Sequence, residues 1–599
     1  MIRRLLFLPL VFAVASWAAP KKLSPDLQNA NQMSAATVIV QWNSLPDDTK
    51  HRKVAALGGM LQRVHASIKA SVYTLPGFAI QMLANDPDVA YITPDRPLQA
   101  KLDLTAAAVN ASYAWKMSTP AFGTGIGVAV IDSGINPSDT NLAQASISLL
   151  GLITLGGSSR VVYSQDFTGS GDATDHFGHG QHIAGIIGSN GAATLPPTCK
   201  NCTRNFIGIA PNVNLVDLRV LDANGQSSDS TVIAAIEQAI ALKSQYNIRV
   251  INLSLGRPVF ESYQQDPLCQ AVEQAWQAGI AVVVAAGNEG RDNTFGEQGY
   301  GTINSPANDP YVITVGAMKT EGTAGRSDDL VASYSSKGPT QVDHIVKPDI
   351  MAPGNMVVSL YANATLEQQY PTNNVIQSYY MNTSPGQGRK VSTQWYTLSG
   401  TSMAAGVVSG AIADILSVNS NLTPDQVKAL LMRTAGGTLA GTKAFPQSST
   451  VTDPSGTYVD YYDIFTIGAG YLDIQAAIQG ISNVPQAGLA ALSPTAMFHS
   501  TTGAVTLSYA PNGAFLPSNY GSQSIWASQS IWSSSVLDAD QCIWSSQSIW
   551  ASTNTSSSSQ AIWGSQAIWG SQSIWSSQSI WSSQSIWSNS NGVAITGEP

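Results

Sequence analysis

Two histidines, His179 and His182, stand three residues apart in the stretch DHFGHGQHIAGIIG, at the start of an apolar run. Such residues serve either as metal ligands or, singly, as proton-transfer groups. Zinc-binding helices place two histidines four residues apart, beside a glutamate and with a third ligand elsewhere. The sequence shows none of these features. The spacing therefore disfavours a metal site and predicts that His182 is a packed, hydrogen-bonded helix residue. Whether His179 is a proton-transfer group depends on residues elsewhere in the chain.

Three further polar residues stand where predicted strands end or a predicted helix begins. Asp132 ends the strand in VAVIDSGIN, Asn288 follows the strand in VVVAAGNEG, and Ser402 opens the helix in LSGTSMAAGVVSGAIADIL. A serine hydroxyl is a weak nucleophile unless an adjacent base takes its proton, and that base needs a partner that fixes its tautomer. Serine, histidine and aspartate on separate loops can supply these three functions.

The elements that must position these residues alternate along residues 105–480. Short apolar strands such as GVAVIDSGI, IRVINLSLG and AVVVAAGN are separated by helical stretches such as STVIAAIEQAIALKSQY. Continuously apolar strands between helices are typical of a mostly parallel sheet that is covered on both faces. Sites in such folds gather at the carboxyl ends of the strands. The predicted fold class is α/β, with a doubly wound, mostly parallel sheet and helices on both faces.

Taken together, the motifs resemble those of the subtilisin-like serine peptidases, in that family's order Asp, His, Asn, Ser. The resemblance covers about residues 105–480 and includes INLSLG, SYSSKGPT, KPDIMAPG and GAGYLDIQAAI. It implies that Ser402 attacks the scissile carbonyl, that His179 takes and returns the proton, and that Asp132 orients the imidazole. It also implies that the Asn288 side-chain amide and the Ser402 backbone N–H bind the oxyanion.

The same resemblance implies a polypeptide substrate and an edge that binds it. Ser254, Leu255 and Gly256 match the family's strand edge, which pairs with an extended substrate. Arg257 follows them directly, which indicates only that acidic groups are tolerated nearby. The expected activity is that of a serine endopeptidase, and no cofactor is required for its chemistry.

Three positions depart from the family pattern. Gln181 stands where the family usually has threonine, and Gly406 stands where it usually has proline. Because glycine loosens a helix by about 1 kcal/mol relative to alanine, the helix that carries Ser402 is expected to begin less rigidly. Asn141 stands at the position of a common aspartate ligand of calcium. A structural calcium ion is thus left without support from the sequence.

The N-terminal part has the features of an exported precursor. Residues 1–19 place two arginines before an apolar stretch and end in small residues, as a secretory signal peptide does. The apolar stretch is shorter than the roughly 20 residues that a membrane anchor needs. Residues 36–100 are typical of a small α+β (ferredoxin-like) unit and resemble the family's inhibitor prodomain, an intramolecular partner that is cut off. We expect cleavage between about Pro97 and Val109, and a secreted product in the extracellular space or at the cell surface, with no membrane span.

Four cysteines are present, namely Cys199, Cys202, Cys269 and Cys542. In an oxidising compartment the Cys199/Cys202 pair favours a small loop disulfide, with zinc binding as the alternative. Zinc needs four ligands, and no second closely spaced cysteine pair follows. Cys269 and Cys542 are far apart in the sequence, which does not indicate whether they meet.

The C-terminal part has a different composition. Residues 481–520 are interpreted as a linker, and residues 521–587 repeat a (G/S/A)SQ(S/A)IW unit that holds most of the chain's 14 tryptophans. A six-residue period scatters side chains around a helix, but in an extended strand it places every tryptophan on one face. The repeat is interpreted as a low-complexity spacer, as a stacked-strand domain for attachment, or as an aromatic strip that binds glycans.

Composition narrows the choice of function. The chain has 599 residues and a formal net charge of -9, and it shows no basic cluster along a helix or strand. A nucleic-acid partner is therefore not expected. The main hypothesis is a secreted serine endopeptidase made as a zymogen. The alternative is a non-catalytic surface-binding or assembly protein that acts through the tryptophan-rich repeat.

Overall fold

A computed structural model gives the architecture of the chain. It describes residues 22–23, 27, 35–66, 69–94, 104–147, 153–293, 298–383, 390–435, 448–499, 504–511, 513–515 and 593–598. Two compact units, Met1–Gln99 and Ala100–Pro599, are distinguished by their internal contacts. The predicted signal peptide, the repeat at 521–587 and Cys542 lie outside the described residues, as does the first part of the segment in which cleavage is expected.

The first unit is an antiparallel sheet with two helices. Its elements are β1 Ala35–Trp42, α1 Asp48–Ala56, β2 Met60–His65, β3 Ala70–Pro76, α2 Gly77–Ala84 and β4 Val89–Pro94. The strand order is β2-β3-β1-β4, and the βαββαβ succession is the ferredoxin-like arrangement. Alternate residues of β1, such as Val38 and Val40, face a core that they share with Ile80 and Ile92.

The second unit contains a large, mostly parallel sheet. The strands of this unit are β5 Gly127–Asp132, β6 Ala143–Ile147, β7 Ile153–Ser159, β8 Val161–Asp166, β9 Asn214–Arg219, β10 Ile248–Leu253, β11 Ala281–Ala285, β12 Ile313–Lys319, β13 Leu330–Val331, β14 Ile350–Pro353, β15 Val357–Leu360, β16 Asn374–Ile376, β17 Val391–Leu398, β18 Ser448–Asp453, β19 Gly456–Tyr461, β20 Thr495–His499 and β21 Ala504–Ser508. The main sheet has the order β13-β12-β11-β10-β5-β9-β8, with β14 beside β12. Within it only β13 pairs antiparallel, with β12.

Helices cover this sheet. The described helices of the second unit are α3 Leu104–Ala108, α4 Ala111–Trp115, α5 His179–Gly188, α6 Asp229–Tyr246, α7 Pro267–Gln277, α8 Thr365–Gln369, α9 Gln377–Tyr380, α10 Thr401–Val418, α11 Pro424–Ala435, α12 Ile464–Ile467, α13 Ile474–Gly480 and α14 Val593–Thr596, with 3-10 turns at Thr140–Leu142, Pro371–Asn373 and Ile481–Asn483. Helix α6 packs on β5, β9 and β10, whereas α10 packs on β10, β11, β12 and β14. Every residue of β5 and β11 is buried, so both faces of these strands are covered. The structure thus has the predicted α/β arrangement.

Helix α10 runs through the core of the second unit. Within the described part of the chain it is the one helix long and apolar enough to cross a membrane, and 89% of it is buried inside the protein. The helix is continuous through Gly406, where sequence analysis expected a looser start. A Cβ added at Gly406 would lie 3.3 Å from Ile186 Cγ2 of α5. The small residue therefore lies where α10 and α5 approach each other.

Part of the predicted linker at 481–520 is folded. Strands β20 and β21 form an antiparallel hairpin, and Phe515 is buried in the main core. The hairpin is joined to the rest of the unit because the Ala496 N–H donates to the His344 carbonyl at 2.8 Å. The second unit therefore extends beyond residue 480, where the sequence predicted its end.

Candidate active site

Three neighbouring strands bring the candidate residues to one edge of the main sheet. Strand β10 lies between β5 and β11, and the three run parallel. Their carboxyl ends, at Asp132, Leu253 and Ala285, therefore share that edge. Strands β9 and β8 lie on one side of β5, and the later strands β10 to β12 lie on the other. The site is thus at the switch point of the sheet, where α/β folds bind their ligands.

Asp132 and His179 are in direct contact. His179 Nδ1 lies 2.7 Å from Asp132 Oδ1, and neither side chain has exposed surface. The same carboxylate oxygen accepts the Ser133 N–H at 2.7 Å. An ionised carboxylate can only accept hydrogen bonds, so beside such a group Nδ1 of His179 is the ring nitrogen that donates. This contact fixes both the tautomer and the orientation of the imidazole.

The loop before α5 holds His179 in place. The Asp175 carboxylate accepts the backbone N–H groups of Phe177, Gly178 and Gln181 at 2.7–2.9 Å. Burial raises the pKa of the Asp175 carboxyl, although these hydrogen bonds oppose the shift. The Gly180 N–H donates to the Ser133 hydroxyl at 2.8 Å, which joins the start of the helix to the residue after Asp132.

Ser402 lies in the first turn of α10 and is almost completely buried. Its hydroxyl donates to the Ser254 carbonyl oxygen at 3.1 Å, and the Ser254 hydroxyl donates to the Ser402 carbonyl at 2.9 Å. This reciprocal pair joins the segment after β10 to the helix that carries Ser402. Ser254, the first residue of the predicted substrate edge, therefore lies beside the predicted nucleophile.

Asn288 is oriented by the residue before Ser402. Its Oδ1 accepts the Thr401 N–H at 2.9 Å and lies 3.2 Å from the Thr401 hydroxyl oxygen. The Asn288 N–H donates to a carboxylate oxygen of Glu289 at 2.8 Å. With Oδ1 committed to Thr401, the Asn288 amide nitrogen is the remaining hydrogen-bonding group of this side chain.

His182 has a different environment from His179. Its Nε2 lies 3.1 Å from the carbonyl oxygens of both Val357 and Tyr396, and the ring is completely buried. Burial lowers the pKa of His182 to about 3, so the ring is neutral at ordinary pH. Within the described ranges no group of three or more His, Cys, Asp or Glu side chains is placed to hold a metal ion. His182 is a packed, hydrogen-bonded helix residue, as its spacing predicts.

The positions that depart from the family pattern are satisfied by local contacts. Gln181 accepts the Asn136 N–H at 2.8 Å and donates to Asp139 Oδ2 at 2.9 Å. Asn141 donates to Asp139 Oδ1 at 3.0 Å and accepts the Ala193 N–H at 3.0 Å. Both polar side chains therefore stabilise the loop between β5 and β6.

Arg160 is a buried structural residue that was not predicted from the sequence. Its guanidinium is buried and donates to the backbone carbonyls of Asn141, Ala143, Gly188 and Val213. Burial lowers the pKa of Arg160 to about 10, which leaves the side chain charged at neutral pH. No sequence motif marks this residue, because its acceptors come from four separate segments of the backbone.

The structure pairs Cys199 with Cys202 in a disulfide, which was one of the two alternatives for this pair. Cys269 is a buried free thiol in α7, with its Sγ 3.3 Å from Asn308 Oδ1. Its position inside the core gives it a structural role.

Arg257 does not present a free charge to the site. Its guanidinium contacts the carboxylates of Asp229 and Asp266, each at 2.9 Å. Because two carboxylates already neutralise it, the hint from sequence that acidic groups are tolerated near Gly256 has no support in the structure.

Comparison with known proteins relates this geometry to a family. The model of the subtilase family (peptidase S8) matches residues 123–459, which is more than half of the chain. Serine protease AprX of Bacillus subtilis is 34% identical over 430 residues, covering 69% of this chain and 84% of the relative.

Two further relatives show the same likeness. Subtilisin DY of Bacillus licheniformis is 31% identical over 357 residues, covering 60% of this chain and 92% of the relative. The extracellular serine proteinase of a Thermus species is 29% identical over 394 residues, covering 64% of this chain and 74% of the relative. The match extends over both the sheet and the loops at its carboxyl edge, and the chain therefore belongs to the subtilase family, the subtilisin-like serine endopeptidases.

Proposed function

We propose that the protein is a secreted serine endopeptidase, made as a zymogen, that uses Ser402 as its nucleophile. The observation that carries the proposal is the 2.7 Å contact between His179 Nδ1 and Asp132 Oδ1, two side chains with no exposed surface. Since Nδ1 carries a proton in this contact, Nε2 is the nitrogen that can act as the base. The tautomer required for proton transfer is thus already selected before substrate binds.

In the proposed reaction the Ser402 oxygen forms a bond to the scissile carbonyl carbon, while its proton moves to His179 Nε2. His179 then gives that proton to the leaving amine as the carbon–nitrogen bond breaks. A water molecule releases the acyl group by the same steps, with His179 again as the base. Asp132 stabilises the imidazolium that forms in each half of the reaction, in surroundings where its charge is little screened.

The oxyanion that develops on the carbonyl oxygen needs hydrogen-bond donors that are already oriented. We assign this role to the Asn288 amide and to the Ser402 backbone N–H. The proposal is supported by the hydrogen bond from the Thr401 N–H to Asn288 Oδ1, because it turns the amide nitrogen away from Thr401. Ser402 lies in the first turn of the 18-residue helix α10, whose dipole favours negative charge at that end.

We assign substrate binding to the segment Ser254–Gly256. An extended peptide that pairs with this segment would place its scissile bond beside Ser402, because Ser254 already contacts the Ser402 backbone and hydroxyl. Main-chain pairing of this kind is tolerant of side-chain identity. The proposed substrate is therefore a polypeptide in extended conformation.

Export and zymogen formation complete the proposal. Residues 1–19 have the composition of a signal peptide, and the ferredoxin-like fold of the first unit fits the inhibitor prodomain that the sequence resembles. One of the relatives is named an extracellular proteinase. The alternative function, binding through the tryptophan-rich repeat, rests on residues outside those that the structure describes.

The central test replaces Ser402 in the secreted protein. We expect Ser402→Ala to lower peptide hydrolysis by about 10⁶-fold, the size of loss known for triad members of this family. Ser417→Ala, at the far end of the same helix, is the matched control and should hydrolyse peptide like the parent chain. A serine-directed covalent inhibitor should label Ser402 in the parent and not in the variant. Retention of hydrolysis within about tenfold by Ser402→Ala would overturn the proposal.

A further inference from the structure

The segment that follows the repeat is packed into the second unit. Residues Val593–Glu598, here called the docking segment, consist of helix α14 followed by Gly597 and Glu598. Ile595 is buried in the main hydrophobic core, and Glu598 is 1% exposed. An isolated carboxylate is costly to bury, so a glutamate in this position requires partners that compensate its charge.

Those partners form a binding site for a carboxylate. Glu598 Oε1 accepts a hydrogen bond from Arg291 Nη2 at 3.0 Å and another from the Ser333 N–H at 2.9 Å. The Ser333 hydroxyl donates to the same oxygen, and Lys319 Nζ lies 3.7 Å from Oε2. The side chains of Arg291 and Glu598 have at most 1% of their surface exposed. Two cations and two neutral donors therefore surround one buried carboxylate. The cations are shared, because Arg291 also contacts Asp453 at 2.6 Å and Lys319 also contacts Glu321 at 3.1 Å.

The backbone of the docking segment is also recognised. The Asn355 side chain donates to the Glu598 carbonyl and accepts the Glu598 N–H, each at 2.9 Å. The Asn373 side chain donates to the Ile595 carbonyl at 3.0 Å. Together with the carboxylate contacts, these hydrogen bonds bind both the main chain and the acidic side chain of the segment. The segment lies along a cavity of about 550 Å³ that these two asparagines help to line.

Two of the residues that the docking segment contacts, Arg291 and Ser399, belong to the loops that carry the proposed oxyanion hole and nucleophile. Arg291 follows Asn288 by three residues, and Ser399 precedes Ser402 by three. A Cβ added at Gly597 would lie 2.7 Å from Ser399 Oγ, so the segment touches the loop that leads into α10. Ser399 also accepts the Met356 N–H at 2.8 Å, which joins that loop to the one that holds Asn355.

We infer that this site binds an acidic peptide segment, that residues 593–598 are its intramolecular occupant, and that its occupation positions the loops of Asn288 and Ser402. The catalytic half of this inference rests on the function proposed above, whereas the docking half does not. Glu598 is then a positioning residue, because it acts on the reaction through Arg291 directly and, by holding Gly597 in place, through Ser399. Phe515, before the repeat in the sequence, and Ile595, after it, are both buried in the main core.

Docking is tested by hydrogen exchange of the full chain in a Ser402→Ala background, which removes self-digestion. We expect the amides of 593–598 to be protected, and Glu598→Gln to speed their exchange by about tenfold or more, since a charge-assisted contact is lost. Glu237→Gln, on the exposed face of α6, is the matched control and should leave this protection unchanged. Unprotected amides in the parent, or equal protection in Glu598→Gln, would overturn the docking.

A steric variant provides an independent test. Gly597 has φ +85°, and an added Cβ would lie 2.5 Å from Met356 Cγ. Gly597→Ala should therefore release the segment, as seen by faster exchange of the same amides. Gly488→Ala is the matched control, because Gly488 has φ +92° with no atom within 4 Å of an added Cβ. Equal exchange of the segment in the two alanine variants would contradict the packing described here.

The coupling to catalysis is tested in the chain with Ser402 intact. Glu598→Gln should lower kcat for peptide hydrolysis by about tenfold while KM stays within about twofold, because the loops lose alignment rather than substrate contacts. Release of the segment with kcat unchanged relative to Glu237→Gln would overturn the positioning role. If the parent chain hydrolyses no peptide, the proposed function fails, and the exchange experiment still decides whether the segment docks.

Discussion

Thr401 orients the Asn288 side chain. The Thr401 N–H holds Oδ1, so the amide nitrogen is the group left to meet an oxyanion. We predict that Asn288→Ala lowers kcat by about 10²- to 10³-fold, the cost of removing such an amide in this family. KM for the same peptide should change little, because the contact strengthens only in the transition state. Steady-state kinetics would contradict this role if KM rose while kcat stayed constant.

The burial of His182 predicts that the stability of the fold depends on pH. The folded protein keeps this ring neutral, with a pKa of about 3, whereas the unfolded chain protonates it near the ordinary value of 6.5. Between these two values the unfolded state binds one more proton, so the folded state loses stability as the pH falls from 6.5 towards 3. The free energy of unfolding falls by at most about 1.4 kcal/mol for each pH unit in this range. Above pH 6.5 the ring is neutral in both states, so the stability does not depend on its protonation.

We therefore expect His182→Gln to reduce the acid sensitivity of the fold. In the Ser402→Ala background, the midpoint temperature of unfolding should fall less between pH 6.5 and pH 4.5 in His182→Gln than in its parent. His176→Gln is the control, because His176 is half exposed and is bonded to Asp172 on the surface. Parallel pH curves for His182→Gln and the parent would refute the assignment.

At the scale of the element, the size of the side chains that fit on α10 is limited by how closely neighbouring residues approach the helix. A Cβ added at Gly410 would lie 2.7 Å from Ile209 Cβ, whereas one added at Gly406 would meet Ile186 Cγ2 at 3.3 Å. We predict that Gly410→Ala lowers the midpoint temperature of unfolding clearly, because the neighbouring backbone must shift. Gly406→Ala should stay close to the parent, since a gain of about 1 kcal/mol in helix propensity offsets the tight contact. Equal midpoints for the two variants would contradict this packing.

The elements near the site could largely be predicted from the sequence. Apolar strands that end in Asp132 and just before Asn288, and a helix that begins beside Ser402, all appear as periodic patterns. The structure adds contacts between residues far apart in the chain, such as the Thr401 bond to Asn288 and the Ser254 bond to Ser402. Local patterns carry no information about such pairings, which depend on the order of strands in the sheet.

At the scale of the whole molecule, zymogen formation predicts how the chain is processed. If the second unit removes the first, the secreted parent should begin between about Pro97 and Val109, whereas secreted Ser402→Ala should retain residues 36–100. Intact mass spectrometry of both proteins checks this prediction. Ser417→Ala should be processed like the parent. A Ser402→Ala chain that loses residues 36–100 would show that another peptidase performs the cleavage.

The boundaries of the units were harder to predict from the sequence than the units themselves. The linker predicted at 481–520 contains a hairpin, and Phe515 packs in the main core. The docking segment was not predicted at all, because six residues after a long repeat have no periodicity of their own. Its only signal was Glu598, an acidic residue that follows the nearly uncharged repeat. Burial of that charge depends on Arg291 and Lys319, which are remote in the sequence.

Arg160 gathers four carbonyl groups around one positive charge. A metal ion bound by such carbonyl groups would dissociate at a finite rate, and the occupancy of its site would fall when the solution is diluted or contains a competing binder. A guanidinium attached to the backbone has no such equilibrium with the medium. The segments that it holds therefore keep their positive centre at neutral pH, whatever the concentration of ions or competing binders in the solution.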